Sequence, residues 1–253
     1  MTIAENDGNF ETLRVDRGHD RLTVTIDRPA VKNALNSRMN RELNAVCAEL
    51  EHEPRPLVLR GAGGAFVSGA DIAELRERSS AETVAGANER LFDRVARLPM
   101  PTIAVVDGAA YGGGAELAYA CDIRLASERA AFANPEPALG ILAGAGGCWR
   151  LAELTNRSVA RQVLLGGLRL DASAALSCGL VAEVASSAQL EARVDAWIKR
   201  ISAQDPWALQ LTKLTLDAKD PHPVADLLAQ ALLFEAPERR RRMTEYLEGR
   251  GRT

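Results

Sequence analysis

The chain has 253 residues, of which 47% are hydrophobic and 26% are charged, and its formal net charge is −3. This composition supplies a sizeable core and excludes a disordered or strongly basic chain. No apolar run approaches 18 residues and 1–10 lack an apolar signal segment, so we expect neither a membrane span nor a secretory leader.

Strand and helix patterns alternate through the first 190 residues. In chain order we predict strands at 22–27, 57–59, 102–106, 122–126 and 181–185, and helices at 37–50, 71–76, 81–98, 115–120 and 187–201. Three further helices follow, at 206–218, 224–234 and 237–248, each with a proline near its first turn. The pattern therefore predicts an α/β protein with an α-helical C-terminal extension.

Cysteine and histidine spacing argues against a metal site. Cys47, Cys121, Cys148 and Cys178 lie far apart, with no C-x-x-C pair, so we expect four free thiols in a reducing cytoplasm, and no metal. The three histidines lie in no motif, so a Ser-His-Asp hydrolase is poorly supported. An acidic chain with few aromatic residues has no nucleic-acid footprint, and we expect no nucleic-acid partner.

Glycines cluster at 61–69, 112–114 and 140–147. None of the three clusters completes a phosphate-binding loop or a dinucleotide fingerprint. The first two run directly into predicted helices, whose N-termini present unpaired N–H groups. Two such termini facing one another would supply two donors to a developing oxyanion, although tight turns alone also explain the glycines.

Two carboxylates accompany the glycines. Glu116 lies in the first turn of the helix after 112–114, where a carboxylate most often caps the helix. Glu136 lies between Pro135 and Pro137, and we expect the prolines to hold it in a rigid turn and bar it from helical geometry. A carboxylate held in this way is either functional or simply solvated.

Four segments together resemble the enoyl-CoA hydratase/isomerase (crotonase) family. They are RPAVKNALN at 28–36, GAGGAFVSGADIAEL at 61–75, PTIAVVDGAAYGGGAELAYACDIRLAS at 101–127 and AFANPEPALGILAGAGGCWRL at 131–151. The resemblance implies a crotonase-like spiral of ββα units that binds a coenzyme A thioester at 1–200. It also implies a helical oligomerisation region at 201–253, which would form a trimer or a dimer of trimers.

The resemblance also assigns site residues. The backbone N–H groups of Ala70 and Gly113 correspond to the family's oxyanion hole, in agreement with the helix-terminus argument. Asp71 is interpreted as a helix cap more readily than as a catalyst. The residues carried over to the CoA thioester site are Lys32, Ala34, Ala70, Asp71, Ile72, Ala73 and Gly113.

The two glutamates select a reaction within the family. Family hydratases carry both, with Glu116 polarising a water and Glu136 delivering a proton to C2, so the resemblance implies syn hydration of a 2-enoyl-CoA without a separate cofactor. Isomerisation of a 3-enoyl-CoA needs only one carboxylate, typically at the Glu136 position. A non-catalytic, RNA-binding member of the fold is the third possibility.

The chain departs from the family pattern after Glu136. Ala143 replaces a proline, Cys148 a threonine and Trp149 a glutamine. Trp149 either narrows the acyl pocket or packs in the core, and Cys148 is interpreted as a small buried packing residue because no base adjoins it. The run Arg239–Arg242 is interpreted as a solvated helix face, with contacts to a CoA phosphate, another subunit or RNA as alternatives.

Overall fold

The computed structural model describes residues 10–217 and 224–250. The chain folds into two compact units, Met1–Ile198 and Lys199–Thr253. Strands and helices alternate in the first unit, and the regular elements among the described residues after it are helices, which confirms the predicted α/β class with a helical C-terminal extension. In the described ranges no helix is both long and apolar enough to cross a bilayer. The 1–9 segment, part of the region where no leader is expected, lies outside the described residues.

The described part of the chain forms nine strands in two sheets. They are β1 (Leu13–Arg17), β2 (Leu22–Ile26), β3 (Leu57–Gly61), β4 (Thr102–Val106), β5 (Ala109–Tyr111), β6 (Ile123–Ser127), β7 (Ala131–Ala133), β8 (Leu170–Asp171) and β9 (Glu183–Ala185). The larger sheet has the order β1-β2-β3-β4-β6-β9, and only the β1–β2 pairing in it is antiparallel. The smaller sheet has the order β5-β7-β8.

Twelve α-helices lie in the described ranges. They are α1 (Ser37–His52), α2 (Ile72–Glu77), α3 (Ser80–Val84), α4 (Ala87–Ala96), α5 (Gly113–Ala120), α6 (Gly147–Leu154), α7 (Arg157–Leu164), α8 (Ala172–Ser177), α9 (Leu190–Ser202), α10 (Pro206–Leu216), α11 (Val224–Glu235) and α12 (Pro237–Arg250). Residue 218, the last of one predicted helix, and the prolines before α11 lie outside the described residues.

The prediction of one helix at 81–98 is wrong. Gly86 adopts a left-handed conformation, with φ of +60°, and separates α3 from α4. Ser79 and Glu82 also form a reciprocal capping box, so α3 has its own start signal. Strands β1, β5, β7 and β8 were not predicted; three of them have only two or three residues, too few to establish an alternating pattern.

Local signals and burial agree in the first β–α segment. The Asn36 side chain accepts a hydrogen bond from the Met39 N–H at 2.9 Å and so begins α1 at the predicted position. Apolar residues of α1, including Leu43 and Val46, join Val24 of β2 in one buried cluster. The apolar periodicity of the sequence therefore corresponds to a real core.

Two isolated bridges position the loops that follow the strands. Val67 pairs with Ala110 of β5, and Ala70 pairs with Leu35. The first bridge holds the segment before α2 beside the strand that leads into α5. Consequently the starts of these two helices lie close together.

The second unit contains α10, α11 and α12. The Asp205 side chain accepts a hydrogen bond from the Ala208 N–H at 2.8 Å and caps α10. Arg241 and Arg242 both form ion pairs with Glu238 on α12. Several large apolar side chains of this unit are exposed: Leu214, Leu216, Leu227, Leu228, Leu232 and Leu247. The roles predicted for 1–200 and 201–253 stay predictions.

Candidate active site

Two backbone N–H groups lie close together at the starts of α2 and α5. A Cβ added to Gly113 would lie 3.9 Å from the Ala70 nitrogen. Gly113 is the first residue of α5, so its N–H has no acceptor within the helix. Neither this N–H nor that of Ala70 donates a hydrogen bond to any residue that the structure describes.

Glycine makes this close approach possible. Gly112, the N-cap of α5, has φ of +51°, which favours glycine. A Cβ on Gly114 would lie only 2.1 Å from the Val67 carbonyl oxygen, so any side chain there would push α5 away from the neighbouring segment. The second glycine cluster therefore sets both the turn and the packing distance of α5.

A cavity of about 740 Å³ opens over these N–H groups. Its wall includes both N–H residues, Ala70 and Gly113, and both carboxylates, Glu116 and Glu136. A cavity of this size suits a small organic ligand. Apolar side chains supply much of the remaining wall: Val31, Ile72, Leu75, Leu139, Ile141 and Leu142.

Glu116 is 4% exposed and is held by the N-terminus of another helix. Its Oε1 atom accepts hydrogen bonds from the N–H groups of Ala145 and Gly147, at 2.8 and 2.9 Å, where α6 begins. Burial, together with the negative charge of Glu136, raises the pKa of Glu116 to about 7, against the opposing effect of the two N–H donors. The position of Glu116 in the sequence suggested that it caps its own helix, α5, but its side chain instead accepts hydrogen bonds at the start of α6.

The Ala145 and Gly147 N–H groups that bind Glu116 form a cradle within the third glycine cluster, 140–147. The sequence pattern did not reveal this role. The signal of this cluster resembled that of the other two clusters, because Gly146 is followed directly by α6. Arg150 supports the cradle: its guanidinium donates to the Ala145 carbonyl oxygen at 3.3 Å and forms an ion pair with Asp93 of α4. The Arg150 side chain is only 6% exposed, whereas the Asp93 side chain is 37% exposed, so the pair is buried at the Arg150 end and reaches solvent at Asp93.

Glu136 departs from the geometry expected for it. It begins a 3-10 turn, Glu136–Leu139, whereas the flanking prolines were expected to bar helical geometry. The expectation failed because a proline fits the first turn of a helix, where its missing N–H would have no acceptor. Pro135 precedes the turn as its N-cap, and Pro137 lies inside it.

The carboxyl group of Glu136 is buried, with the residue 7% exposed. Its Oε1 atom accepts a hydrogen bond from Asn134 Nδ2 at 3.4 Å. The other oxygen, Oε2, has no hydrogen-bond partner among the described residues. Burial raises the pKa of Glu136, and the Asn134 amide opposes that rise.

Of the other residues predicted to bind the CoA thioester, some line the cavity and some do not. Ala34, Asp71 and Ile72 line the cavity, whereas Lys32 and Ala73 do not. Asp71 accepts a hydrogen bond from the Ala73 N–H at 3.2 Å and caps α2, which agrees with its interpretation as a helix cap.

The structure corrects two expectations about α6. Cys148 is exposed and was wrongly interpreted as buried packing. Trp149 is 43% exposed, lies over the Arg150 guanidinium at 4.1 Å, and is absent from the cavity wall, so it neither packs in the core nor narrows the cavity. Both residues lie on the first turn of α6, and the inward side of that helix is occupied by Arg150 and Leu151. Ala143 is buried.

No disulfide joins the four cysteines, all of which lie in the described ranges. The same ranges contain no cluster of three or more His, Cys, Asp or Glu side chains placed to hold a metal ion.

Backbone donors facing a cavity with two buried carboxyl groups form an arrangement that can stabilise a negatively charged oxygen and transfer protons. A model of the enoyl-CoA hydratase/isomerase family matches residues 20–251, and the chain belongs to that family.

Relatives and solved structures agree with this assignment. The chain is 38% identical over 199 residues to the short-chain-enoyl-CoA hydratase of Clostridium acetobutylicum, a match covering 77% of this chain and 76% of the relative. It is 32% identical over 228 residues to a probable enoyl-CoA hydratase of Mycobacterium bovis, covering 89% and 87%. An enoyl-CoA hydratase structure from Bacillus anthracis matches with a TM-score of 0.89 at 28% identity, covering 94% of this chain and 97% of that chain. The crotonase-like fold implied by the sequence is thereby confirmed.

Proposed function

We propose that this protein is an enoyl-CoA hydratase, a hydro-lyase that adds water in syn geometry across the C2=C3 bond of a 2-enoyl-CoA. One observation carries the proposal: two buried carboxyl groups with different surroundings line the cavity that contains two unpaired N–H groups. Both relatives named above carry hydratase names, which supports the same reaction.

The thioester carbonyl oxygen accepts hydrogen bonds from the N–H groups of Ala70 and Gly113. When water attacks C3, the π electrons of the C2=C3 bond move onto this oxygen and an enolate forms. The two N–H donors stabilise the enolate more than the ground-state carbonyl, and that difference accelerates the reaction.

The two glutamates divide the proton chemistry. Glu116, whose Oε1 atom accepts two N–H bonds, acts as the carboxylate that orients the water and takes its proton. Glu136, with one buried oxygen lacking a partner among the described residues, acts as the acid that delivers a proton to C2. Glu116 gains one proton from the water and Glu136 loses one to C2. Transfer of a proton from Glu116 to Glu136, directly or through water, then restores the starting protonation of both groups.

The other parts of the proposal concern the CoA moiety, the assembly and the location. Lys32 and Ala34 contact the adenine and phosphate end of CoA, and no separate cofactor takes part. The protein assembles into a trimer or a dimer of trimers in this proposal; the exposed leucines of the second unit support self-association, and light scattering of the purified protein measures the number of subunits. A cytoplasmic location stays a prediction.

The reaction is tested by incubating the protein with crotonyl-CoA. Hydration is detected as a loss of the absorbance of the conjugated thioester. Glu116→Gln and Glu136→Gln should each lower kcat by about 10²- to 10⁴-fold. Glu153→Gln, which changes an exposed glutamate of α6, is the matched control and should leave kcat unchanged.

A 3-enoyl-CoA assayed in parallel separates hydration from isomerisation. An isomerase would convert the 3-enoyl substrate, fail to hydrate crotonyl-CoA, and tolerate Glu116→Gln. Full hydratase activity in both glutamine variants would show that the proposed mechanism is wrong.

A further inference from the structure

A buried tyrosine and asparagine form a hydrogen-bonded chain that ends on Glu136. The Tyr119 hydroxyl donates to Asn134 Oδ1 at 3.1 Å, and Asn134 Nδ2 donates to Glu136 Oε1 at 3.4 Å. Tyr119 is 3% exposed and Asn134 is 2% exposed, so water does not compete for these bonds. Tyr119 lies one helical turn after Glu116 on α5, and the chain therefore connects the helix of one glutamate to the side chain of the other.

The two ends of the Asn134 amide are chemically distinct, and this gives the chain a direction. A hydroxyl that donates to Oδ1 turns the amide NH₂ group toward Glu136. Burial raises the pKa of Tyr119 above its ordinary value, so the phenol keeps its proton and remains a donor. Only Glu136 Oε1 receives the Asn134 bond, which fixes the rotation of the carboxyl group.

We propose that Tyr119 and Asn134 are positioning residues, with Tyr119 orienting the Asn134 amide and Asn134 holding the Glu136 carboxyl group at the angle needed for proton delivery to the substrate. The inference rests on the proposed hydration reaction. Neither residue lines the cavity, so neither contacts the substrate there. Both therefore act through Glu136.

Several titratable groups act electrostatically around Glu136. They are Glu116 and Tyr119 from α5 and Cys148 from α6. The Asn134 amide lowers the pKa of Glu136, so its removal raises that pKa. Since Glu136 acts in its protonated form, the alkaline limb of the kcat profile then moves to higher pH, a shift that a purely structural role for Asn134 would not produce.

The test uses Tyr119→Phe, Asn134→Ala and the double variant. Tyr119→Phe keeps the ring in the core, and we expect kcat for crotonyl-CoA to fall about 10-fold or more with KM within about threefold, because small misplacements of a catalytic group are costly. If Tyr119 acts through Asn134, the double variant is no slower than Asn134→Ala alone. Tyr246→Phe, at a tyrosine of α12 that is 59% exposed, removes the same hydroxyl elsewhere and should have no effect.

An infrared titration without substrate separates this inference from the hydratase proposal. The carboxyl signal lost in Glu136→Gln reports the protonation of Glu136, and its midpoint should move to higher pH in Asn134→Ala even if crotonyl-CoA is not the substrate. Thermal melting checks that each variant folds. Wild-type kcat and an unshifted midpoint in folded Tyr119→Phe and Asn134→Ala would overturn the inference, even with a fully active parent enzyme.

Discussion

Replacing Glu116 with glutamine should stabilise the protein increasingly as the pH rises. The folded protein binds a proton on Glu116 up to a pH of about 7, whereas the usual pKa is 4.5. The stability conferred by this proton is fully present below pH 4.5 and is lost as the pH rises through 7. A pKa change from 4.5 to about 7 corresponds to about 3 kcal/mol of unfolding free energy.

Glutamine isolates this effect. Its carbonyl oxygen accepts the same two N–H bonds from Ala145 and Gly147 and does not titrate. Urea unfolding of the wild type and of Glu116→Gln at pH 5 and pH 8 measures the difference in free energy at each pH. We expect this difference to shift in favour of the variant by most of the ~3 kcal/mol as the pH rises.

The matched variant Glu153→Gln, in which the replaced carboxylate is exposed, should show no such shift between the two pH values. If the advantage of Glu116→Gln were the same at pH 5 and pH 8, burial would not hold a proton on Glu116. The conclusion that burial and the charge of Glu136 raise the pKa of Glu116 would then be wrong.

Two further predictions concern the α5 start and the α6 surface. Gly113→Pro removes the N–H of Gly113 at a position where proline suits a helix, so kcat should fall about 10²- to 10³-fold while the melting temperature changes little. In Gly114→Ala the added Cβ would strike the Val67 carbonyl oxygen, so this variant should instead lower the unfolding free energy by about 1–3 kcal/mol or more in urea titrations. Trp149→Phe should leave kcat/KM for crotonyl-CoA within about threefold, and a large change in chain-length preference would contradict the placement of Trp149 outside the cavity.

The parts of the fold that could be predicted are those specified by local chemistry. The helix start at 37, the strand at 22–27 and the glycines before α5 each depend on a few neighbouring residues, and each prediction agrees with the structure. The broken helix at Gly86 shows the limit of this reasoning, since an isolated glycine in a helical pattern is ambiguous until its φ angle is known.

The candidate site was predicted where the family motif names a residue and missed where the contacts are long-range. The motifs identify both Glu116 and Glu136. The hydrogen-bond partners of Glu116, however, lie 29 and 31 residues away, in the glycine cluster at 140–147, and the sequence does not indicate that this cluster contacts Glu116. Tyr119 and Asn134 are 15 residues apart, and no sequence pattern links the two side chains. Both residues lie in segments that resemble the family, at 101–127 and 131–151, but only the folded chain shows that their side chains meet.

The N–H groups of Ala70 and Gly113, which have no acceptor among the described residues, belong to the main chain. An alanine scan leaves both N–H groups in place. It would therefore not detect the two donors that are proposed to stabilise the negative charge of the enolate oxygen. Substitutions nearby exchange side chains while the peptide groups persist. A lineage built on this scaffold can therefore acquire new chemistry by changing its carboxyl groups and keep an unaltered anion receptor throughout.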